Sequence, residues 1–248
     1  MEWSDEAIVL SLRPHGESSG IVDALTRLHG RHSGLVRGGT SSKGRAVLQP
    51  GNRVKVTWRA RLSENLGVFT VELMKARAGD MFAERAALVG LNALCAVAAA
   101  VLPEREPHEA AFEGADAVLD AMAAHGFPDW APLFVRWEAG LLNELGFGLD
   151  LARCASTGSP EDLIYVSPRT GRAVSRAAGE PYRDRLFALP AFLLGRQAGD
   201  ATMRDILAGL ELTAHFLSQW VLVPHDKKMP DARLRLTQLA SRATPESA

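Results

Sequence analysis

The chain has 248 residues, with 28 Lys and Arg against 29 Asp and Glu, and 47% of it is hydrophobic. Charged residues at 23% fit a globular protein and exclude a disordered or fibrous chain, and this length predicts one or two domains, each able to bury a core. Two cysteines, Cys95 and Cys154, cannot form a disulfide framework and fit a reducing compartment. Glu2, Asp5 and Glu6 follow the first Met before any apolar run, so no signal peptide is expected and the predicted location is cytoplasmic. Ala86 to Leu102 is 17 residues without a charge. That falls short of the ~20 a bilayer needs, and a core helix is expected rather than a membrane contact.

The near-neutral total hides an uneven distribution. Residues 1–80 carry 12 basic and 8 acidic side chains, residues 81–150 carry 3 and 11, and residues 151–248 carry 13 and 10. From Ala24 to Ser63 there are nine Lys or Arg and no acid at all. Two readings fit that window: an anionic partner, or basic residues that simply solvate the exposed face of strands.

In chain order, residues 1–80 read as five strands: the alternating run around Ile8–Arg13, Ile21–Leu28, Ser33–Arg37, Arg53–Leu62 and Gly67–Ala76. A polar loop, Thr40 to Arg45, and the turn Pro50–Gly51 separate the third from the fourth. Five such strands predict a small all-β sandwich or barrel. The fourth is the most informative, because Val54, Val56, Trp58, Ala60 and Leu62 alternate with Arg53, Lys55, Thr57, Arg59 and Arg61. A period of two points every cation of this strand away from the core, as a stripe about 26 Å long at ~3.3 Å per residue. A nucleic-acid backbone could lie along it. Edge-strand gatekeeping also predicts cations, but not their excess over anions, and the functional reading is preferred.

From Phe82 onward the period becomes helical. Helices are predicted over Ala83–Leu102, Glu109–His125 and Pro132–Leu145. Residues 151–185 form an irregular insert with a hairpin, Leu163–Ser167 against Arg172–Ser175. Shorter and longer helices follow at Leu189–Arg196 and Thr202–Val223, and residues 231–248 read as a frayed basic tail. The expected architecture is thus α+β in two domains, a β domain at 1–80 and a helical domain at 81–248.

Tests for catalytic and cofactor chemistry fail. Gly38–Gly39–Thr40–Ser41–Ser42–Lys43–Gly44 places Ser before Lys and Gly after it, so it is not a Walker loop. Gly146–Phe147–Gly148 lacks its third glycine and follows a helix. His29 and His32 have no neighbouring acid or thiol to complete a metal site, and His215 reads as a packed or hydrogen-bonded histidine. No nucleophile elbow occurs, and neither an enzyme nor a catalytic residue is predicted.

Several stretches, in order, resemble the RecO family of bacterial recombination mediators. In the first domain these are Glu6–Ala7–Ile8–Val9–Leu10, Gly16–Glu17–Ser18, Leu25–Thr26–Arg27, Gly30–Arg31, Gly34–Leu35–Val36–Arg37–Gly38, Leu48–Gln49–Pro50–Gly51 and Glu64–Asn65–Leu66–Gly67. In the second they are Glu144–Leu145–Gly146–Phe147–Gly148–Leu149–Asp150–Leu151 and Val166–Ser167–Pro168–Arg169–Thr170–Gly171–Arg172–Ala173–Val174. The resemblance implies an N-terminal OB-fold, a five-stranded barrel, followed by a helical domain. It also implies binding and annealing of single- and double-stranded DNA, and loading of RecA onto DNA covered by single-strand-binding protein. The implied partners are RecR, RecF, RecA and the acidic tail of single-strand-binding protein. Many relatives carry a four-cysteine zinc site, but here only Cys154 matches its first position, Thr157 stands at the second, and no later cysteine exists. No zinc and no other cofactor are expected.

On this reading Arg53, Lys55, Arg59 and Arg61 line the binding face, with Arg31, Arg37, Lys43 and Arg45 from adjoining strands and loop. Only Trp3, Trp58 and Phe69 supply aromatic rings to the barrel, and Trp58 alternates inward, which argues for phosphate contacts over base stacking. Arg169, Arg172 and Arg176 either extend that path or form a solvated hairpin. Two other functions use the same residues differently: a single-stranded RNA-binding module, or a protein scaffold without DNA contact.

Overall fold

The structure is a computed structural model that describes residues 1–81, 84–195 and 201–244, with only the backbone described at Asp80. It divides into two compact units, Met1–Ala124 and His125–Ala248.

In the first unit five strands, β1 (Glu2–His15), β2 (Ser19–Thr26), β3 (Arg31–Val36), β4 (Arg53–Arg59) and β5 (Val68–Lys75), close into a barrel in the order β1-β2-β3-β5-β4. A short helix, α1 (Ser42–Val47), lies between β3 and β4. This order, with that helix, is the OB topology. β1 is far longer than the run expected, because its first half pairs with β4 and its second with β2, while Ala7 and Ile8 pair with both. A bulge at Leu10, between Val9↔Ala24 and Ser11↔Asp23, bends the strand across that junction. The barrel interior holds Ala7, Val9, Val22, Ala24, Val54, Val56, Trp58 and Phe69, plugged by Leu48 just after α1. Closure is thinnest between β3 and β5, which meet only at Leu35↔Val68.

The expected loop at Thr40–Arg45 is instead the entry to α1. Ser41 caps that helix, accepting from Gly44 N at 3.1 Å and donating to Gly38 O at 2.7 Å. Glycine and serine have low helix propensity, so the turn is held from outside: by this cap, by the plug at Leu48, and by Asn52, whose Nδ2 donates to Ala46 O and Val47 O at 3.1 Å. Gly44 is required here, since a Cβ would stand 2.3 Å from Gly38 O.

Three helices complete the unit: α2 (Ala78–Met81), α3 (Arg85–Val101) and α4 (Glu109–Ala124). Ala83, the expected start of α3, lies outside the described residues. The uncharged stretch is a core helix as read, with Ala87, Ala93, Leu94, Val97 and Ala98 fully buried. α3 packs on β1, where Ile8 and Leu10 are buried although they lie outside the barrel interior. Residues 102–108 strap across the β2–β3 turn: Arg105 N donates to Arg31 O at 2.8 Å. Gly30, at φ +70°, admits this crossing because a Cβ would stand 2.1 Å from Glu106 O.

What binds α4 to the barrel is charge. Glu109, Glu113, Asp116 and Asp120 recur at i, i+4, i+7 and i+11, one face of the helix. Arg27 pairs with Glu109 (3.0 Å) and Glu113 (2.9 Å), while Lys75 reaches Asp120 at 2.8 Å. Asp116 is clasped between Arg53 at 2.6 Å and the fully buried Arg77 at 2.7 Å, and Arg77 also holds Asp120. Asn52 fixes the backbone beside this pair, accepting from Arg77 N at 3.0 Å.

In the second unit, α5 (Phe127–Glu144) starts five residues before the expected Pro132. Buried Trp130 and Ala131 hold the earlier turn in place although Pro132 removes one helical hydrogen bond. The insert contains the expected hairpin, β6 (Leu163–Val166) with β7 (Ala173–Ser175), then a one-turn α6 (Arg176–Gly179). A two-residue β8 (Phe187–Ala188) adds a third strand beside β6. A tight turn, Ala191–Leu194, stands where Leu189–Arg196 was expected; Arg196 lies outside the described residues. α7 (Met203–Phe216) opens on a Thr202–Asp205 capping box and continues through a wider, π-type turn at Leu217–Leu222. Met203–His225 is long and apolar enough to cross a membrane by length and composition, but half of its most apolar 18-residue window is buried.

The expected frayed tail is corrected outright for residues 231–243. They form α8 (Asp231–Ala243), whose Arg233, Leu236 and Ala240 are buried on one face. Arg233 is fully buried and donates to Glu138 of α5 at 2.6 and 2.9 Å and to Leu210 O at 2.7 Å. Residues 245–248 lie outside the described residues.

Two outcomes follow. Asp116→Ala leaves buried Arg77 short of a partner and is expected to cost about 3–5 kcal/mol in denaturant unfolding, whereas Asp150→Ala, from an exposed pair with Arg172, costs under about 1 kcal/mol. His32 is buried among Trp3, Trp58 and Phe69 with neither ring nitrogen hydrogen-bonded. Burial, helped by the charge of Arg105, pushes its pKa down to about 4. The unfolded chain takes up this proton near pH 6.5 and the folded chain only near 4, so stability falls as pH drops through that window. His32→Phe is expected to flatten this part of the stability–pH curve.

Candidate nucleic-acid interface

β4 presents Arg53, Lys55 and Arg59 outward and Val54, Val56 and Trp58 inward, as its alternation predicts. Arg61 lies beyond the strand end, exposed in the β4–β5 turn. The stripe is not, however, an excess of free charge. Arg53 is held by Glu6 and Asp116, and Arg59 donates to Glu2 at 2.7 Å. That bond holds the Glu2 carboxyl below its ordinary pKa. Lys55 stands in register between Glu6 on β1 and Glu72 on β5. Arg31 is likewise engaged, by Asp23 at 3.1 Å, Glu104 at 3.4 Å and Leu102 O at 3.0 Å. The acid-free window is therefore acid-free only along the chain; in space, carboxylates of β1, β2, α4 and the segment before α4 answer much of it.

Five of the eight candidate cations, Arg37, Lys43, Arg45, Lys55 and Arg61, have no ion pair among the described residues. Arg37, Lys43 and Arg45 fall within nine residues, all exposed, on the loop after β3 and on α1. This segment abuts the β1–β2 turn, where Thr40 N donates to Ser18 O at 3.2 Å. Beside it, Val36, Val47, Leu48 and Val71 floor a cavity of about 290 Å³, with Arg37, Lys43 and Ser41 also in its wall. At the other loop, Arg105 clamps the β4–β5 turn through the carbonyls of Ser63, Glu64 and Asn65, at 2.6 to 3.1 Å. In OB barrels the β1–β2 and β4–β5 loops frame the ligand face. Neither the cavity nor the Arg105 clamp was foreseen from the residues, because each depends on chain segments far apart in sequence. The docking of α4 could have been found from the spacing of its four acids.

In the insert, Arg172 pairs with Asp150 and Arg176 with Asp162, both at 3.1 Å and exposed, while Arg169 is exposed with no ion pair among the described residues. His215 is packed as expected, its Nε2 3.2 Å from Pro168 O and its ring against Phe187 and Phe216.

Structural zinc does not fit the residues around Cys154. No group of three or more His, Cys, Asp or Glu able to hold a metal occurs among the described residues. Cys154 Sγ is buried and accepts instead from Ser175 N at 3.3 Å and Ser175 Oγ at 3.4 Å. Burial pushes this thiol up, but the combined hydrogen bonds of Ser175 and Thr157 outweigh burial and bring it to about 6. Ser175→Ala is expected to raise that value, read as the pH midpoint of thiolate ultraviolet absorbance; an unmoved midpoint would contradict this account.

Residues 1–77 match the family described as Recombination protein O N terminal, and residues 83–229 the family described as Recombination protein O C terminal. The DNA repair protein RecO of Rhodospirillum centenum is 51% identical over 245 residues, covering 98% of this chain and 96% of the relative. Its counterpart in Cereibacter sphaeroides is also 51% identical, over 98% of this chain and all of the relative. The Caulobacter vibrioides protein of that name is 50% identical over 244 residues, 98% of this chain and 99% of the relative. The chain belongs to the RecO family of DNA repair proteins.

Proposed function

We propose that this chain binds DNA through its phosphates, chiefly at the loop and short helix of residues 37–45. The observation that carries this is the trio Arg37, Lys43 and Arg45, exposed, close in sequence and without carboxylate partners among the described residues. Each phosphate contact by such a cation releases a condensed counterion, which favours binding without regard to sequence. Lys55 and Arg61 extend the surface, whereas Arg31, Arg53 and Arg59 serve mainly to hold the barrel and its covering together. Screening by these cations reduces repulsion between two strands while leaving their bases free to pair, so annealing of complementary strands follows from the same contact.

Family membership supports the wider role: a mediator that works with RecR and RecF, engages the acidic tail of single-strand-binding protein, and helps load RecA onto DNA so covered. No catalytic step, metal or cofactor enters this reading.

The test is fluorescence anisotropy with single-stranded DNA across a salt series. Changing Arg37, Lys43 and Arg45 together to Glu is expected to flatten the log–log salt slope by about 2, at ~0.7 per contact, and to weaken binding at least tenfold. Lys55→Glu with Arg61→Glu is expected to weaken it less. Unchanged binding by the loop variant and loss by the second pair would move the site to β4. Unchanged binding by both would favour a scaffold without DNA contact, and tighter binding of matched RNA than DNA would favour an RNA-binding module.

A further inference from the structure

The cavity beside the cationic loop has a composition that phosphate binding alone does not explain. A surface built only for phosphates needs charge and hydrogen-bond donors, yet here Val36, Val47, Leu48 and Val71 line the same cavity as Arg37 and Lys43. It lies where β3 and β5 pair only at Leu35↔Val68, between Val36 of β3, Val71 of β5 and Val47 of α1. Gly38, at φ +69°, and Gly44, where a Cβ would stand 2.3 Å from Gly38 O, also line it. At about 290 Å³ it stands at the small end of the ~300–1,000 Å³ range of ligand pockets. A base held in a duplex is paired and stacked and must flip out of the helix to enter such a cavity, whereas an unpaired base need not.

We infer that this cavity receives one unpaired nucleobase of a bound DNA strand, while the adjoining phosphates lie on Arg37 and Lys43. The inference rests on the proposal that the loop binds DNA, and it adds what the cations cannot supply, a preference for unpaired over paired strands. A base entering an aliphatic pocket loses its stacking neighbours but removes its apolar faces from water. No base-specific donor or acceptor is needed, so the pocket tolerates any sequence. In annealing, the one held base must leave the cavity before it pairs, so the complement competes with the cavity for that base while the neighbouring bases stay free to pair.

The experiment uses the full chain and two fluorescein-labelled single strands of equal length and phosphate count. One carries bases throughout, with 2-aminopurine at its centre; the other is abasic along its whole length. Wild type is expected to bind the base-bearing strand at least tenfold tighter than the abasic one, with parallel salt dependence and a change in 2-aminopurine emission on binding. Val47→Phe and, separately, Val71→Phe, each filling the cavity, are expected to lower affinity for the base-bearing strand to the abasic level without altering the salt slope. Equal affinity of wild type for both strands, with salt-dependent binding retained, would overturn the pocket and leave the phosphate reading standing. Failure to bind either strand would overturn the phosphate reading and the pocket with it. The comparison of strands needs only wild-type protein, so a variant that fails to fold does not spoil the test.

Discussion

The first unit depends on Asp116. Its two carboxylate oxygens receive Arg53 from β4 and Arg77 from the segment after β5, so one side chain of α4 ties down two separate stretches of the barrel chain. Arg77 is fully buried, and a buried guanidinium is tolerable only if its donors are met. Here Asp116, Asp120 and Gly51 O meet them. With Arg27 against Glu109 and Glu113, and Lys75 against Asp120, the acids of α4 form a ladder along the barrel. For that reason the compact unit ends at residue 124, although the two family matches meet near residue 80.

Ion pairs of this kind, on α4 and elsewhere in the unit, decide which cations are left for a partner. A cation that neutralises a neighbouring carboxylate offers little net field to an approaching polyanion, whereas one without such a neighbour offers all of it. Arg53, Arg59 and Arg31 are spent within the unit; Arg37, Lys43 and Arg45 are not. The same division separates two kinds of basic residue that look alike in the sequence, those that assemble the barrel with its helical cover and those that face solvent beside an apolar cavity. The second unit repeats the principle on a smaller scale, where Glu138 and Arg233 lock α8 to α5 in a fully buried pair.

Local periodicity made the barrel legible: the strict alternation of Arg53–Arg59 set both the strand and its inward Trp58, and the change of period near Phe82 marked where strands give way to helices. The hairpin signal worked where it is short-range, at Pro168–Gly171, and the helix read from Thr202 starts there, on a capping box. What local periodicity missed was the partners: Arg53 points outward as read, but Asp116 lies 63 residues away from it, and the carboxylate that buries Arg233 lies 95 residues away. Residues 231–243 thus looked like a loose basic tail, though Arg233, Leu236 and Ala240 keep a helical period. At α1 the difficulty was opposite, since Ser42–Lys43–Gly44 has poor helix propensity and its helix is imposed by the barrel end it covers.

The most direct test of this division is the arginine side-chain NMR spectrum of the chain titrated with a short single-stranded oligonucleotide. The account predicts that the Nε–Hε signals of Arg37 and Arg45, with the backbone amides of Gly38 and Gly44, move on addition of DNA. Those of Arg31, Arg53 and Arg77 are predicted to stay in place. Movement of the Arg53 signal with silence from Arg37 and Arg45 would contradict it, and would mean that DNA displaces the carboxylates of Glu6 and Asp116 from the barrel's outer face.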